Sequence, residues 1–131
     1  MRSRVYLSVI FLSQIFLLAA CTSTLNAAPT STPAPVTVSL TTDPNPAVVG
    51  DIIMRFLVKD DQGNPINGAT VTVLADHTDM RGMTMGGAAT DQGDGIYAIE
   101  ANFSMKGNWK ITVQVTRSTL NYEQEIMLSV N

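Results

Sequence analysis

The stretch from residue 76 to residue 87 concentrates the residue types best suited to binding a soft metal ion. It contains the only histidine, His77, and three of the seven methionines, Met80, Met83 and Met85. A methionine thioether is a soft donor and an imidazole nitrogen is a borderline one, so together they suit Cu(I), whereas Mg²⁺ and Ca²⁺ prefer oxygen ligands. One interpretation of this stretch is therefore a copper site.

Two other interpretations fit the same residues without a metal. A single histidine is more often structural or solvated than a ligand, and closely spaced methionines form adaptable apolar patches that contact other proteins. The methionines could instead pack into the core, although Asp79, Arg81 and Thr84 separate them in a stretch that resembles a loop. The residues alone leave all three interpretations open.

The pattern before this stretch predicts where it lies. Val71, Val73 and Ala75 alternate on one face of a strand, so His77 should continue that face at the rim of the domain. Met105 follows another predicted strand. It lies beside His77 if that strand ends at the same side of the domain, and an antiparallel hairpin would place it at the opposite end.

Enzyme chemistry finds little support in the composition. One histidine cannot build a three-histidine zinc site, and no cysteine remains after residue 21 to act as a nucleophile. Four of the aspartates, at positions 60, 61, 91 and 94, lie in stretches rich in glycine, asparagine and proline that are typical of turns. We therefore expect no catalytic activity.

From Val36 onward, apolar and polar residues alternate with period two, and turn residues interrupt the pattern repeatedly. This predicts an all-β domain, an immunoglobulin-like β-sandwich of about seven short strands, with a small barrel as the alternative. Trp109 and Met54 should be core residues, and Met127 should lie on the surface or pack in a second layer. The strands are expected within residues 36–41, 52–58, 69–75, 97–103, 109–115 and 122–130.

Residues 1–20 are typical of an export signal, because Arg2 and Arg4 precede an apolar run that is short for a membrane span. The run ends in Leu-Ala-Ala followed by Cys21, the only cysteine, and this motif resembles a bacterial lipobox. We expect Cys21 to be lipidated and to anchor the protein to a membrane. Residues 21–35, rich in Thr, Ser, Ala and Pro, predict a flexible linker, and residues 36–131 predict the folded domain.

The charge of the exported part excludes one class of partner. Residues 22–131 contain six Lys and Arg against eleven Asp and Glu, a net charge of −5 with histidine neutral. An acidic domain without a basic stripe is poorly suited to binding a polyanion. We therefore expect no nucleic-acid partner.

A wider set of motifs resembles the YtkA-like domain family, which is itself similar to the FixH-like family. The resemblance extends over nearly the whole domain and combines a glycine- and proline-rich turn motif, a Met- and Gly-rich loop and an aromatic motif around Met105. The matching residues are Pro46 and Gly50, then Asp60, Gly63, Pro65, Gly68, Ala69 and Val71, then Gly95 and Tyr97, and finally the Phe-Ser-Met-x-Gly-x-Trp run from Phe103 to Trp109.

The resemblance implies a membrane-tethered β-sandwich linked to copper handling, particularly to copper supply for respiratory oxidases. Carried over by position, it implies a Cu(I) ligand set drawn from His77, Met80, Met83, Met85 and Met105. Relatives often carry a histidine between the methionines, where this chain has arginine and threonine.

We therefore expect an exported lipoprotein of the cell membrane that faces the periplasm or the cell exterior. It would bind or relay Cu(I), with the membrane and a copper-accepting membrane protein as partners, and support the maturation of a respiratory oxidase. The alternatives are an immunoglobulin-like structural or interaction module without metal, and an accessory subunit of a membrane complex.

Overall fold

A computed structural model describes residues 36–131, and this part of the chain folds into seven antiparallel strands without a helix. The predicted all-β class and strand number are confirmed. The predictions for the signal, Cys21 and the linker lie outside the described residues. Among residues 36–131 there is no helix that is long and apolar enough to cross a membrane. The strands are β1 (Thr37–Asp43), β2 (Gly50–Lys59), β3 (Thr70–His77), β4 (Thr84–Gly93), β5 (Ile96–Phe103), β6 (Gly107–Arg117) and β7 (Leu120–Val130).

The strands form one continuous sheet in the order β1-β2-β5-β4-β3-β6-β7. β4 belongs to both halves of this sheet, because its residues 84–89 pair with β3 and its residues 90–93 pair with β5. The register shifts between Asp91 and Gly93, where the strand bends. The sheet thus folds into two layers joined along β4, a sandwich-like and nearly closed arrangement.

The opposite seam, between β1 and β7, is closed by a side chain. The Gln124 amide of β7 accepts a hydrogen bond from the Val38 N–H (3.2 Å) and donates one to the Val38 carbonyl (3.1 Å), as a neighbouring strand would. Backbone bonds from Asn131 to Ala47 and from Val49 to Asn131 extend the closure to the end of β7.

The alternating apolar residues of both layers meet in one core. Trp109 is 1% exposed and Met54 is 2% exposed, while Met127 is 62% exposed, so all three predictions are confirmed. Because the described domain has no cysteine, this apolar burial carries the stability that disulfides supply in many small exported proteins. The largest fully buried side chains are Trp109, Tyr97, Phe56, Phe103, Ile52 and Met54.

The Met- and Gly-rich stretch that resembles a loop in the sequence is only partly a loop. Asp76 and His77 complete β3, and β4 begins at Thr84, so only residues 78–83 form the turn of a β3–β4 hairpin. The glycines that suggested a loop serve the strand pairing. A Cβ at Gly86 would lie 2.6 Å from the Val73 carbonyl oxygen, so close approach of β4 to β3 needs a glycine there.

The strand directions give the sandwich two distinct ends. We call one the Met end; it contains the β3–β4 turn (78–83), the β5–β6 connection (104–106) and Asn131. We call the other the Tyr97 end; it contains the β2–β3 loop (60–69) and the β4–β5 turn at residues 94–95.

Candidate metal site

His77 lies at the Met end as the last residue of β3, opposite Trp109 of β6. It continues the inward face of Val71, Val73 and Ala75, as the alternation predicts, but it is only 8% exposed. Its ring packs edge-on against the Trp109 indole with 4.9 Å between the ring centroids. The rim position expected for His77 is therefore a buried one.

Both ring nitrogens of His77 face the protein backbone. The Asp79 N–H donates to Nδ1 over 3.2 Å, and Nε2 lies 3.4 Å from the Lys106 carbonyl oxygen. An acceptor at Nδ1 places the ring proton on Nε2, which is the donor to Lys106. The histidine thus contacts both the β3–β4 turn and the β5–β6 connection.

Met83 and Met85 share the inward face beside His77. The Met83 carbonyl accepts the His77 N–H over 3.1 Å, and Met85 pairs with Ala75, the residue two before His77. Both methionine side chains are partly buried and pack against the core. The predicted shared face of Met83 and Met85 is therefore present, at the rim of the core.

Met105 lies at the same end as His77. β5 and β6 do not form a hairpin, because β5 pairs with β2 and β4 while β6 pairs with β3 and β7. The connection between them crosses from one layer to the other and brings Lys106, the neighbour of Met105, to the His77 ring. The sequence left open at which end of the domain Met105 lies, and the structure places it at the same end as His77.

Met80 stands apart from the other methionines. It lies in the β3–β4 turn with its side chain 46% exposed, and Arg81 next to it is also exposed. His77, Met83, Met85 and Met105 therefore all lie at the Met end, and Met80 lies exposed in the adjacent turn.

The aromatic motif around Met105 positions that residue. Phe103 and Trp109 pack edge to face with 4.9 Å between centroids, and the Trp109 indole N–H donates to the Met105 carbonyl over 3.3 Å. Gly107 has a φ of +137°, and a Cβ there would lie 2.6 Å from His77 Nε2. The sequence indicates this unit, since Phe103, Met105, Gly107 and Trp109 lie in one short motif. The contact of the motif with His77 was not predicted.

The charged groups around this end lie on the outer surface. Asp76 accepts a hydrogen bond from the Thr84 hydroxyl, and Lys110 forms an ion pair with Glu125 over 3.1 Å. The hydrogen bond from Lys110 to Glu125 raises the pKa of Lys110 above its ordinary value. These pairs flank the inward methionines without entering the core.

The donor set decides which metal would fit. Within residues 36–131 no group of three His, Cys, Asp or Glu side chains is placed to hold a metal ion. The donors that gather at the Met end are thioethers, which suit Cu(I). Met83, Met85 and Met105, with Met80 beside them, therefore fit a soft monovalent ion by their chemistry.

The glycine- and proline-rich turn motif of the sequence builds the Tyr97 end. The Tyr97 hydroxyl donates to the Ile66 carbonyl (2.8 Å) and accepts the Ala69 N–H (3.0 Å). Gly95 has a φ of +72° and lies so close to Val58 and Pro65 that a Cβ would approach within 2.6 Å and 2.8 Å of them. The glycine- and proline-rich motif and the Gly-x-Tyr motif thus form one structural unit.

Comparison with known proteins identifies a family for this domain. A family model described as YtkA-like matches residues 30–114, about two thirds of the chain. The match extends from β1 into β6 and includes both ends of the sandwich. No curated protein matches the chain significantly. With its match over more than half of its length, the chain belongs to the YtkA-like family.

Proposed function

We propose that this protein is an exported, lipid-anchored Cu(I)-binding protein that holds or hands on copper outside the cytoplasm and catalyses no reaction. The observation that carries the proposal is that Met83, Met85 and Met105, from two separate segments, all lie at the Met end and pack against the core. Thioethers select Cu(I) over Zn²⁺, Mg²⁺ and Ca²⁺ because the monovalent copper ion is the softest of these.

The partial burial of these methionines supports a site that exchanges its ion. Each packs against the core and retains some exposure, so the sulfur atoms combine an apolar surrounding with access from outside. A copper-accepting membrane protein is the partner that such a site would serve, and the family resemblance favours respiratory oxidase maturation as the process.

The double substitution Met83→Leu/Met85→Leu tests the proposal. Leucine keeps the volume and apolar character of methionine and removes both sulfurs, so the free energy of unfolding should change by less than about 1.5 kcal/mol. The affinity for Cu(I), measured by competition with a Cu(I) chelator, should fall sharply.

The chain offers a matched control. Met54→Leu/Met127→Leu also removes two sulfurs, one from the middle of β2 in the core and one from the outer face of β7. This control should keep the wild-type affinity for Cu(I). Equal affinities for the wild type and the Met83→Leu/Met85→Leu variant would remove the chemical basis of the copper function.

Anchoring through Cys21 is tested separately. The variant Cys21→Ser should either leave the membrane fraction or retain its signal, because serine cannot accept the thioether-linked lipid. Lipidation would be contradicted if the Cys21→Ser protein loses its signal, has the same mature mass as the wild type and stays in the membrane fraction.

A contact module without metal remains the second candidate, and a specific observation favours it. Val48, Val49 and Met80 are exposed apolar residues, and the backbone of Val49 bonds to Asn131 at the Met end. Exposed apolar residues in two connections at one end of a domain are of the kind that contacts a protein partner. Unchanged Cu(I) affinity in the double leucine variant would favour this function.

A further inference from the structure

We infer that His77 is a positioning residue, not a copper ligand, and that the metal site at the Met end is built from thioethers alone. This inference rests on the proposed Cu(I) function and narrows it to a ligand class. It follows from three features of the His77 ring: its hydrogen bonds, the space around Nε2 and the segments that it joins.

The hydrogen bonds fix the tautomer that cannot bind a metal through Nε2. Nδ1 accepts the Asp79 N–H over 3.2 Å, so its lone pair is in use and the ring proton is on Nε2. Ligation through Nε2 would move that proton to Nδ1, where it would face the Asp79 N–H. Two donors would then oppose each other in a largely buried site, with neither satisfied.

The backbone of the β5–β6 connection lies close to Nε2. Nε2 lies 3.4 Å from the Lys106 carbonyl oxygen, and a Cβ on Gly107 would lie 2.6 Å from it. A metal ion bound to an imidazole nitrogen lies about 2 Å from it. At Nε2 such an ion would lie in the 3.4 Å gap to the Lys106 carbonyl oxygen, which leaves little room for other ligands. Ligation through His77 would therefore require the β5–β6 connection to move.

The ring instead joins the two segments that carry the methionines. Through Nδ1 and its own backbone N–H, His77 holds the turn that leads into Met83. Through Nε2 it contacts the carbonyl next to Met105. Trp109 supports the same connection from the other side, because it packs on the ring and donates to the Met105 carbonyl.

The first test uses the wild-type protein. Long-range nitrogen–proton NMR of the purified protein reports which ring nitrogen of His77 carries the proton, before and after one equivalent of Cu(I). We expect the proton on Nε2 in both states, and X-ray absorption of the loaded protein should show sulfur without nitrogen in the first shell. Loss of the Nε2 proton on loading, or nitrogen in the first shell, would overturn the inference and leave the Cu(I) function intact.

The second test compares two variants that lack an imidazole. His77→Gln retains a side chain that donates and accepts hydrogen bonds, whereas His77→Leu has similar bulk and neither ability. If His77 positions the site, His77→Leu should lower Cu(I) affinity by about 10- to 100-fold, the range for lost outer-shell partners, and His77→Gln should restore most of it. Equal losses in the two variants would contradict the positioning role.

The two proposals fail in different ways. A wild-type protein that binds no Cu(I) in the chelator competition overturns both the function and the inference. A wild-type protein that binds Cu(I) through His77 nitrogen overturns the inference alone. The NMR measurement does not depend on the folding of either variant.

Discussion

The two ends of the sandwich are held together by different kinds of contact. At the Tyr97 end, polar side chains bond to backbone groups over 2.6–3.0 Å: Tyr97 to residues 66 and 69, Asp91 to residues 68 and 93, and Asn67 to Gly95. At the Met end, the contacts of the aromatic rings with the β5–β6 connection are longer, 3.3–3.4 Å. The Tyr97 end is thus fixed by side-chain hydrogen bonds to its backbone, whereas at the Met end the β5–β6 connection is held mainly by packed rings, with Thr78 bonded to Asn108 over 3.0 Å beside it.

This difference determines how freely the side chains at each end can rearrange. A loop whose polar groups are paired by side chains, one of them the buried Tyr97 hydroxyl, has one favoured geometry, because each lost bond leaves a group without its partner. Methionines at the rim of an aromatic core can repack without leaving a polar group unpaired. The Met end is therefore the part of the molecule that can adjust around a ligand while the fold is maintained.

The largest expected effect comes from removing the aromatic support of the Met end. Trp109→Ala should lower the free energy of unfolding by about 3–5 kcal/mol, because the indole is fully buried and contacts both Phe103 and His77. Denaturant unfolding measures this loss. A decrease of less than about 1 kcal/mol would mean that packed rings do not hold this end.

A smaller loss is expected when the polar Tyr97 end is broken. Tyr97→Phe removes one hydroxyl and leaves the Ile66 carbonyl and the Ala69 N–H without their partner, at a cost of about 1–3 kcal/mol in unfolding free energy. The Cu(I) affinity should not change, since this end lies at the opposite side of the domain. Tyr122→Phe is the control, because that hydroxyl is partly exposed and has one side-chain partner, so its loss should be smaller. A stability loss no greater than that of the control would contradict the role assigned to Tyr97.

The smallest effect depends on pH. Hydrogen bonds from the backbone N–H groups of Gly68 and Gly93 hold the pKa of Asp91 below its ordinary value of 3.8. A lowered pKa in the folded state means that ionised Asp91 stabilises the fold above the unfolded pKa, and that this contribution is lost as pH falls through the folded pKa. Asp91→Asn should therefore be less stable than wild type at neutral pH, and the difference should shrink below pH 3.8. Urea unfolding across this range measures the effect, and a difference that does not vary with pH would contradict it.

The sequence predicted the strands that alternate strongly and missed the one that does not. Residues 52–58 and 109–115 alternate apolar and polar side chains, and they form most of β2 and β6. β4 carries Gly86 and Gly87 and few large apolar residues, so its sequence resembled a loop. The glycines are required by the close approach of β3, which only the pairing of the strands reveals.

The sequence predicted the face on which His77 lies but not the position of Met105. Period two placed His77 on the inward face, because that face depends only on neighbouring residues. The position of Met105 depended on the layer to which β6 belongs, and a three-residue connection is more typical of a hairpin than of a crossing. The hydrogen bonds of His77 involve Asp79 and Lys106 backbone groups, which no side-chain pattern reports.

The side-chain closure between β1 and β7 has a consequence for solubility. An edge strand with unpaired backbone groups can recruit a second chain by forming an intermolecular sheet. The Gln124 amide occupies both the N–H and the carbonyl of Val38, so that part of the β1 edge offers no free groups to another molecule. Gln124→Ala should increase self-association at high concentration, measurable by light scattering, and no increase would show that another feature protects the edge. A single amide thus covers the backbone groups of Val38 at the β1 edge.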